Sequence, residues 1–102
     1  SRADNDLPAM VKRFADRIHF VHLRSVQRSN AHDFMEVAHP YGDVVIRDVV
    51  RALVDAGVNA PVRPDHGRMI WGETGRPGYG LYDRALGAMY IAGLLEAFDA
   101  QL

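Results

Sequence analysis

Two short strand-like segments about forty residues apart each run into a polar cluster, and an amphipathic helix separates them. The first is Ile18-His19-Phe20-Val21-His22-Leu23, followed by Arg24; the second, residues 59–64, runs into Arg63-Pro64-Asp65-His66-Gly67. Strands that alternate with helices become parallel neighbours joined by right-handed crossovers. Side chains at the C-terminal ends of such strands are where α/β enzymes gather their chemistry. The pattern reads as a piece of an α/β enzyme.

The remaining elements follow from local signals. Asn5 and Asp6 are N-cap residue types, and Pro8 suits a first helical turn. Leu7, Met10, Val11, Phe14 and Ile18 recur at helical spacing, which predicts a helix over 7–16. Residues 18–23, rich in β-branched and aromatic types, predict a buried strand. The polar stretch from Arg24 to Gly42 is too long for a plain connector, since structureless loops beyond about 12–15 residues are uncommon. Within it, Phe34-Met35-Glu36-Val37-Ala38 is expected to add a small strand. Asp43 is expected to cap the next helix, whose apolar face is Val45, Ile46, Val49, Val50 and Leu53 and whose stop is Gly57. Pro61 and Pro64 predict irregular ends for the strand at 59–64. A Gly- and Arg-rich loop, 67–80, leads into a last helix from about Leu81 to Phe98 carrying Leu86, Met89, Tyr90, Gly93, Leu94 and Leu95.

Two strands cannot form a parallel sheet buried on both faces, and a closed (β/α)₈ barrel takes eight strands and about 250 residues. At 102 residues the chain holds one domain at most, so the count predicts one part of a larger assembly. A chain 48% hydrophobic and 25% charged is globular rather than disordered. Twelve basic residues, scattered among thirteen acidic ones, leave a net charge of −1. That excludes the electrostatic footprint of a nucleic-acid or anionic-membrane partner. The absence of cysteine excludes a disulfide scaffold or thiolate site in this segment and fits a cytoplasmic protein. Residues 1–6 lack the apolar core of a signal peptide, and the stretch from Ala88 to Phe98 is about half the length that spans a bilayer. There is no internal repeat and no low-complexity tract.

Six residues concentrate the chemistry. His22 and Asp65 end the two strands, which would stand about 4.8 Å apart as neighbours or about 10 Å apart with one strand between. Either spacing lets an imidazole and a carboxylate converge on one divalent ion such as Mn²⁺, Fe²⁺ or Zn²⁺. The competing reading makes His22 a hydrogen-bonded core histidine and Asp65 a turn cap. His66 directly follows Asp65, either as a general acid or base facing the substrate or as a supporting or surface histidine. Arg24 and Arg63 flank the strands and could take a carboxylate bidentately, or be ordinary surface arginines. Tyr79, between Gly78 and Gly80, could swing over a pocket as a lid or proton donor. Of the other histidines, His39 closes the long loop, His32 reads as solvated, and His19 faces away from His22 by strand alternation. The glycines from Gly72 to Gly80 do not open from a strand at dinucleotide-fingerprint spacing.

Taken together, these residues resemble the mannonate dehydratases. The resemblance runs through Arg2-Ala3-Asp4-Asn5-Asp6-Leu7, Ile18-His19-Phe20-Val21-His22-Leu23-Arg24, Gly42-Asp43, Arg63-Pro64-Asp65-His66-Gly67 and Pro77-Gly78-Tyr79. It implies a xylose-isomerase-like (β/α)₈ TIM barrel, with residues 1–102 as the C-terminal part of that single domain. It implies dehydration of D-mannonate to 2-keto-3-deoxy-D-gluconate in hexuronate breakdown, with Mn²⁺ or Fe²⁺ held by two histidines, a cysteine and an aspartate. On that reading His22 and Asp65 are the metal ligands in this segment and the others lie upstream, so the 102 residues alone are expected to be inactive. The same resemblance makes His66 and Tyr79 the acid and base, in either order, and puts Arg24 and His39 near the substrate.

The chemistry agrees with those residue types. A proton α to a carboxylate is a poor acid, so an electrophile must stabilise the charge left when it departs. A base must take the C2 proton and an acid must protonate the leaving C3 hydroxyl. A related metal-dependent sugar isomerase or epimerase would use similar ligands without losing water. A non-catalytic partial barrel that self-associates through its exposed apolar faces is the rival from outside enzymology, and an oligomer is expected on either account.

Overall fold

In the computed structural model, which describes residues 6–28, 34–37, 39–42 and 45–99, Asp6 opens helix α1 (Leu7–Phe14) by accepting the Ala9 N–H at 3.2 Å. A single 3₁₀ turn, Ala15–Arg17, ends the helical run. Leu7, Val11 and Ile18 pack against the core, while Met10 and Phe14 remain exposed. The chain then extends into strand β1 (Val21–Leu23). The expected small strand is present as β3 (Phe34–Glu36), and it pairs antiparallel with β2 (Val26–Arg28), a partner the sequence pattern did not reveal. His32, Asp43 and residues 1–5 lie outside the described residues.

Helix α2 (Ile46–Asp55) begins from Val45 with no side-chain cap, two residues beyond the expected Asp43. It buries Ile46, Val49, Val50, Ala52 and Leu53, the face its sequence periodicity predicts apart from the exposed Val45. Its end is a Schellman motif. Gly57, at φ 69°, donates to the Val54 carbonyl, and Val58 N–H reaches back to the Leu53 carbonyl, each at 3.0 Å.

Strand β4 (Val62–Pro64) follows and lies parallel to β1, with His22 opposite Arg63 and Leu23 opposite Pro64. The strands are direct neighbours, the closer of the two spacings. Each pairs over three residues only. The flanking residues 18–20 and 59–61, expected as strand, lie outside the paired strands, although the Pro61 carbonyl accepts the Val21 N–H at 2.9 Å. Donors alternate sides along a parallel strand. Asp65 N–H points to β1, so Pro64, which has no N–H, falls where none is needed on that side.

Helix α3 (Leu81–Asp99) agrees within a residue with the expected span of about Leu81 to Phe98. Its buried stripe is Asp83, Gly87, Ile91 and Phe98, whereas Leu86 is exposed and Met89 is 72% exposed. Apolar residues surround this helix, so periodicity could not choose a face. The choice is made by fit. A Cβ on Gly87 would stand 2.5 Å from His39 Nδ1, and only glycine lets α3 approach that ring. Leu23, Ile46, Val49, Val50, Leu53, Ile91 and Phe98 form the core between the helices and the β1–β4 pair. Among the described residues no helix is long and apolar enough to cross a membrane.

Gly87→Ala is therefore expected to destabilise the protein by about 1–3 kcal/mol through overpacking. Gly93→Ala, whose added methyl meets nothing within 4 Å, is expected to stabilise the same helix by about 0.8–1 kcal/mol. Urea unfolding midpoints check both.

Candidate active site at the strand ends

The site grows out of the ladder. Asp65 is the first residue past β4, and its N–H donates to the Leu23 carbonyl at 2.7 Å, carrying the parallel pairing one residue beyond the strands. That bond sets the Asp65 carboxylate over the end of β1. Its Oδ1 stands 3.3 Å from His22 Nδ1, and its Oδ2 stands 3.5 Å from His66 Nε2. Arg63 Nη2 adds a positive charge 3.9 Å from Oδ1. The edge of Phe20 meets the His22 ring at 4.9 Å between centroids and steadies its orientation. The His22 side chain is 43% exposed and that of Asp65 24%, so the pair opens to solvent.

Tyr79 reaches the cluster through the loop after Gly67. Gly67 N–H donates to the Gly78 carbonyl and Gly80 N–H donates to the Gly67 carbonyl, both at 3.0 Å, so Tyr79 is bridged to Gly67. This close approach needs glycine, because a Cβ on Gly67 would lie 2.5 Å from the Gly80 carbonyl oxygen. The Tyr79 ring lies 5.5 Å from the His66 ring, with the Arg76 guanidinium 4.8 Å from its own centroid. The backbone on both sides of Tyr79 is held by the two Gly67 bonds. Farther along the loop, Trp71 and Gly72 both take positive φ, as in a type I′ turn, and Glu73 N–H closes it on the Ile70 carbonyl at 3.1 Å. The Glu73 carboxylate then caps α3, accepting the Leu81 N–H at 2.8 Å.

The structure thus brings His22, Asp65, His66 and Tyr79 together, with Arg63 alongside. Arg24 leaves β1 at the same end, half-buried. His39 is buried, 3% exposed, with Nε2 2.9 Å from the Leu23 carbonyl oxygen that also takes the Asp65 N–H. His19 is exposed ahead of β1.

Sequence reasoning missed the pair that closes the loop onto α3. Asp83, almost wholly buried, accepts from Arg68 N–H at 2.8 Å, Nε at 2.9 Å and Nη2 at 3.2 Å. An aspartate in a helix's first turn ordinarily signals only a favourable charge at the N-terminus, so nothing marked this one as buried. Burial pushes the Asp83 carboxyl up, but hydrogen bonds from the Arg68 side chain and backbone, with the charges of Arg68 and His39, hold it below its ordinary value of 3.8. The Asp83 hydrogen bond in turn raises the Arg68 guanidinium, against a smaller opposing effect of burial.

Two ligands bonded to one ion at about 2.0–2.2 Å, and between a right and a tetrahedral angle apart, stand roughly 3–3.5 Å from each other. The His22–Asp65 separation falls in that range, and nitrogen with oxygen is a donor set suited to a divalent first-row metal. No group of three or more such donors occurs among the described residues, so the pair by itself would make only part of a coordination shell.

The molecule is thus a mixed α/β segment, two parallel strands and three helices among its described residues, with an imidazole–carboxylate cluster at the strand ends. The sequence model of the D-mannonate dehydratase (UxuA) family matches residues 1–102, and the chain belongs to that family. It is 56% identical over 98 residues to a mannonate dehydratase of Oceanobacillus iheyensis, a match covering 94% of this chain and 28% of that protein. It is 54% identical over 100 residues to mannonate dehydratase 2 of Halalkalibacterium halodurans, covering 94% of this chain and 29% of that one. The crystal structure of mannonate dehydratase from Streptococcus suis serotype 2 superposes with a TM-score of 0.84 at 48% identity, over 92% of this chain and 28% of that chain. The chain spans little more than a quarter of the length of these relatives.

The depressed Asp83 carboxyl sets a pH dependence. Its folded value lies below its unfolded one, so its contribution to stability is full above about pH 4 and is lost as pH falls through the lower, folded value. The stability difference between the wild type and Asp83→Asn is expected to be flat from neutral pH to about pH 5 and to shrink below pH 4. Chemical denaturation across that range measures it.

Proposed function

We propose that this chain is the C-terminal part of a (β/α)₈ barrel that dehydrates D-mannonate to 2-keto-3-deoxy-D-gluconate with the help of Mn²⁺ or Fe²⁺. The observation that carries the reading is the 3.3 Å approach of His22 to Asp65, with His66 and Tyr79 in contact beside it. Membership of the mannonate dehydratase family supports the substrate, and the parallel β1–β4 pair flanked by helices supports the barrel.

His22 and Asp65 would hold the metal, together with donors from outside this segment. When bound, the ion supplies an electrophile for the negative charge that builds on the sugar acid as its C2 proton leaves. Arg24 and Arg63, at the same end of the sheet, would meet the substrate carboxylate. His66 and Tyr79 divide the proton transfers: one takes the proton from C2, the other gives a proton to the C3 hydroxyl, which leaves as water. The enol so formed becomes the 2-keto acid. Their contact, 5.5 Å between ring centroids, lets both reach one small substrate. His39, proposed from the sequence as a substrate neighbour, would act from below by fixing the strand end. Exposed Trp71, Tyr82, Leu86 and Met89 form apolar surface of the kind that the rest of a barrel covers, and a homo-oligomer would follow only where a second copy covers it instead.

The test is a full-length dehydratase in which these 102 residues replace the matching segment of the Oceanobacillus iheyensis enzyme. D-mannonate is expected to lose one water; a product of unchanged mass would mean an isomerase or epimerase. His22→Ala and Asp65→Ala are each expected to strip bound Mn²⁺ and lower turnover about a hundredfold or more, roughly 3 kcal/mol of transition-state stabilisation. Retained metal and turnover in both variants would contradict the assignment.

A further inference from the structure

The loop that delivers Tyr79 begins two residues after Asp65, and its first long side chain turns away from the strand-end cluster. Arg68 reaches α3 and gives the buried Asp83 carboxylate three hydrogen bonds, one from its backbone and two from its guanidinium. The Asp83 side chain is 3% exposed and that of Arg68 43%, so the carboxylate is the fixed half and the guanidinium closes on it from the surface. A carboxylate so deeply buried is costly unless its oxygens are met by donors, and here both are.

The position tied down is the base of the loop. Residue 68 follows Gly67, whose N–H and carbonyl both bond across to the residues flanking Tyr79. A Cβ on Gly80 would run into the Arg68 carbonyl, and one on Gly67 would meet the Gly80 carbonyl and, at 2.8 Å, Arg84 Cγ. The two ends of the loop therefore touch backbone to backbone, immediately beside the bond that anchors Arg68. Arg84, one residue after Asp83, adds a second tie by donating from Nη2 to the Tyr79 carbonyl at 3.1 Å. The catalytic-end strands do not depend on this clasp, because the β1–β4 ladder holds His22 and Asp65.

We infer that Arg68 and Asp83 are a positioning pair that fixes the ends of the 67–80 loop and thereby sets Tyr79 against His66. The inference rests on the proposed role of those two residues in proton transfer. Small displacements of a proton-transfer group act on turnover more than on affinity. Loosening the clasp thus separates kcat from both KM and metal retention.

The experiment uses the full-length enzyme carrying these residues, with Arg68→Met as the main variant because its site is on the surface side of the pair. Arg68→Met is expected to lower kcat about ten- to a hundredfold. KM is expected to stay within about threefold, and bound Mn²⁺ to match the parent. Arg68→Lys, which keeps the charge but not the two-pronged geometry, is expected to recover part of the loss. Amide exchange at Gly67 and Gly80 is expected to quicken in Arg68→Met. A kcat within about twofold of the parent would overturn the inference, as would a loss fully accounted for by less folded, metal-loaded enzyme. If the parent itself dehydrates nothing, the functional reading fails separately, and unchanged exchange at Gly67 and Gly80 would still refute the clasp.

Discussion

The Leu23 carbonyl oxygen is where the fold and the site meet. One lone pair takes the Asp65 N–H at 2.7 Å and so carries the parallel ladder past the last strand residue; the same oxygen stands 2.9 Å from His39 Nε2. A carbonyl can accept two such bonds, and in a buried place each one left unmade costs about 1–3 kcal/mol. The first bond sets the Asp65 carboxylate beside His22. The second places a buried imidazole under the strand end, where α3 can close over it only because residue 87 is glycine. Core packing and site geometry thus share one acceptor.

From there the site is assembled in two independent ways. His22 and Asp65 ride on paired backbone, which gives them a fixed separation. His66 follows Asp65 directly, whereas Tyr79 depends on the loop, whose ends are held by glycine-to-glycine contact and by the Arg68–Asp83 pair. A rigid half suited to holding an ion sits beside a half whose position is adjustable through side chains that never enter the cluster. That division explains why the loop is dense in glycine and arginine without being a phosphate-binding loop. The glycines permit close approach, and the loop arginines Arg68 and Arg76 bind a carboxylate and a ring face, while Arg84 of α3 binds the Tyr79 carbonyl.

Much of this was legible in the sequence where local chemistry decides structure. Asp6 and Gly57 marked helix ends through capping geometry, and the α2 stripe chose its own buried face. His22, Asp65, His66 and Tyr79 stood out because catalytic residue types followed strand-like segments, and the fold brings them together. The failures are long-range. Leu86 and Met89 stood out among the apolar residues of the last helix without a face being assigned, and α3 is turned by His39 against Gly87 so that both are exposed. His39 itself, a loop histidine in sequence, is the buried support of the strand end. Arg68 and Asp83 are fifteen positions apart and carry no periodic signal, so only tertiary structure reveals their pairing.

The central claim is that His22 and Asp65 are ligands of one divalent ion. Anomalous diffraction at the manganese edge tests it most directly, on crystals of the full-length enzyme bearing these residues and loaded with Mn²⁺. The account requires an anomalous peak between the His22 imidazole and the Asp65 carboxylate, within about 2.0–2.3 Å of a donor atom of each. A manganese peak bound elsewhere, with these two side chains still paired directly to each other, would contradict it.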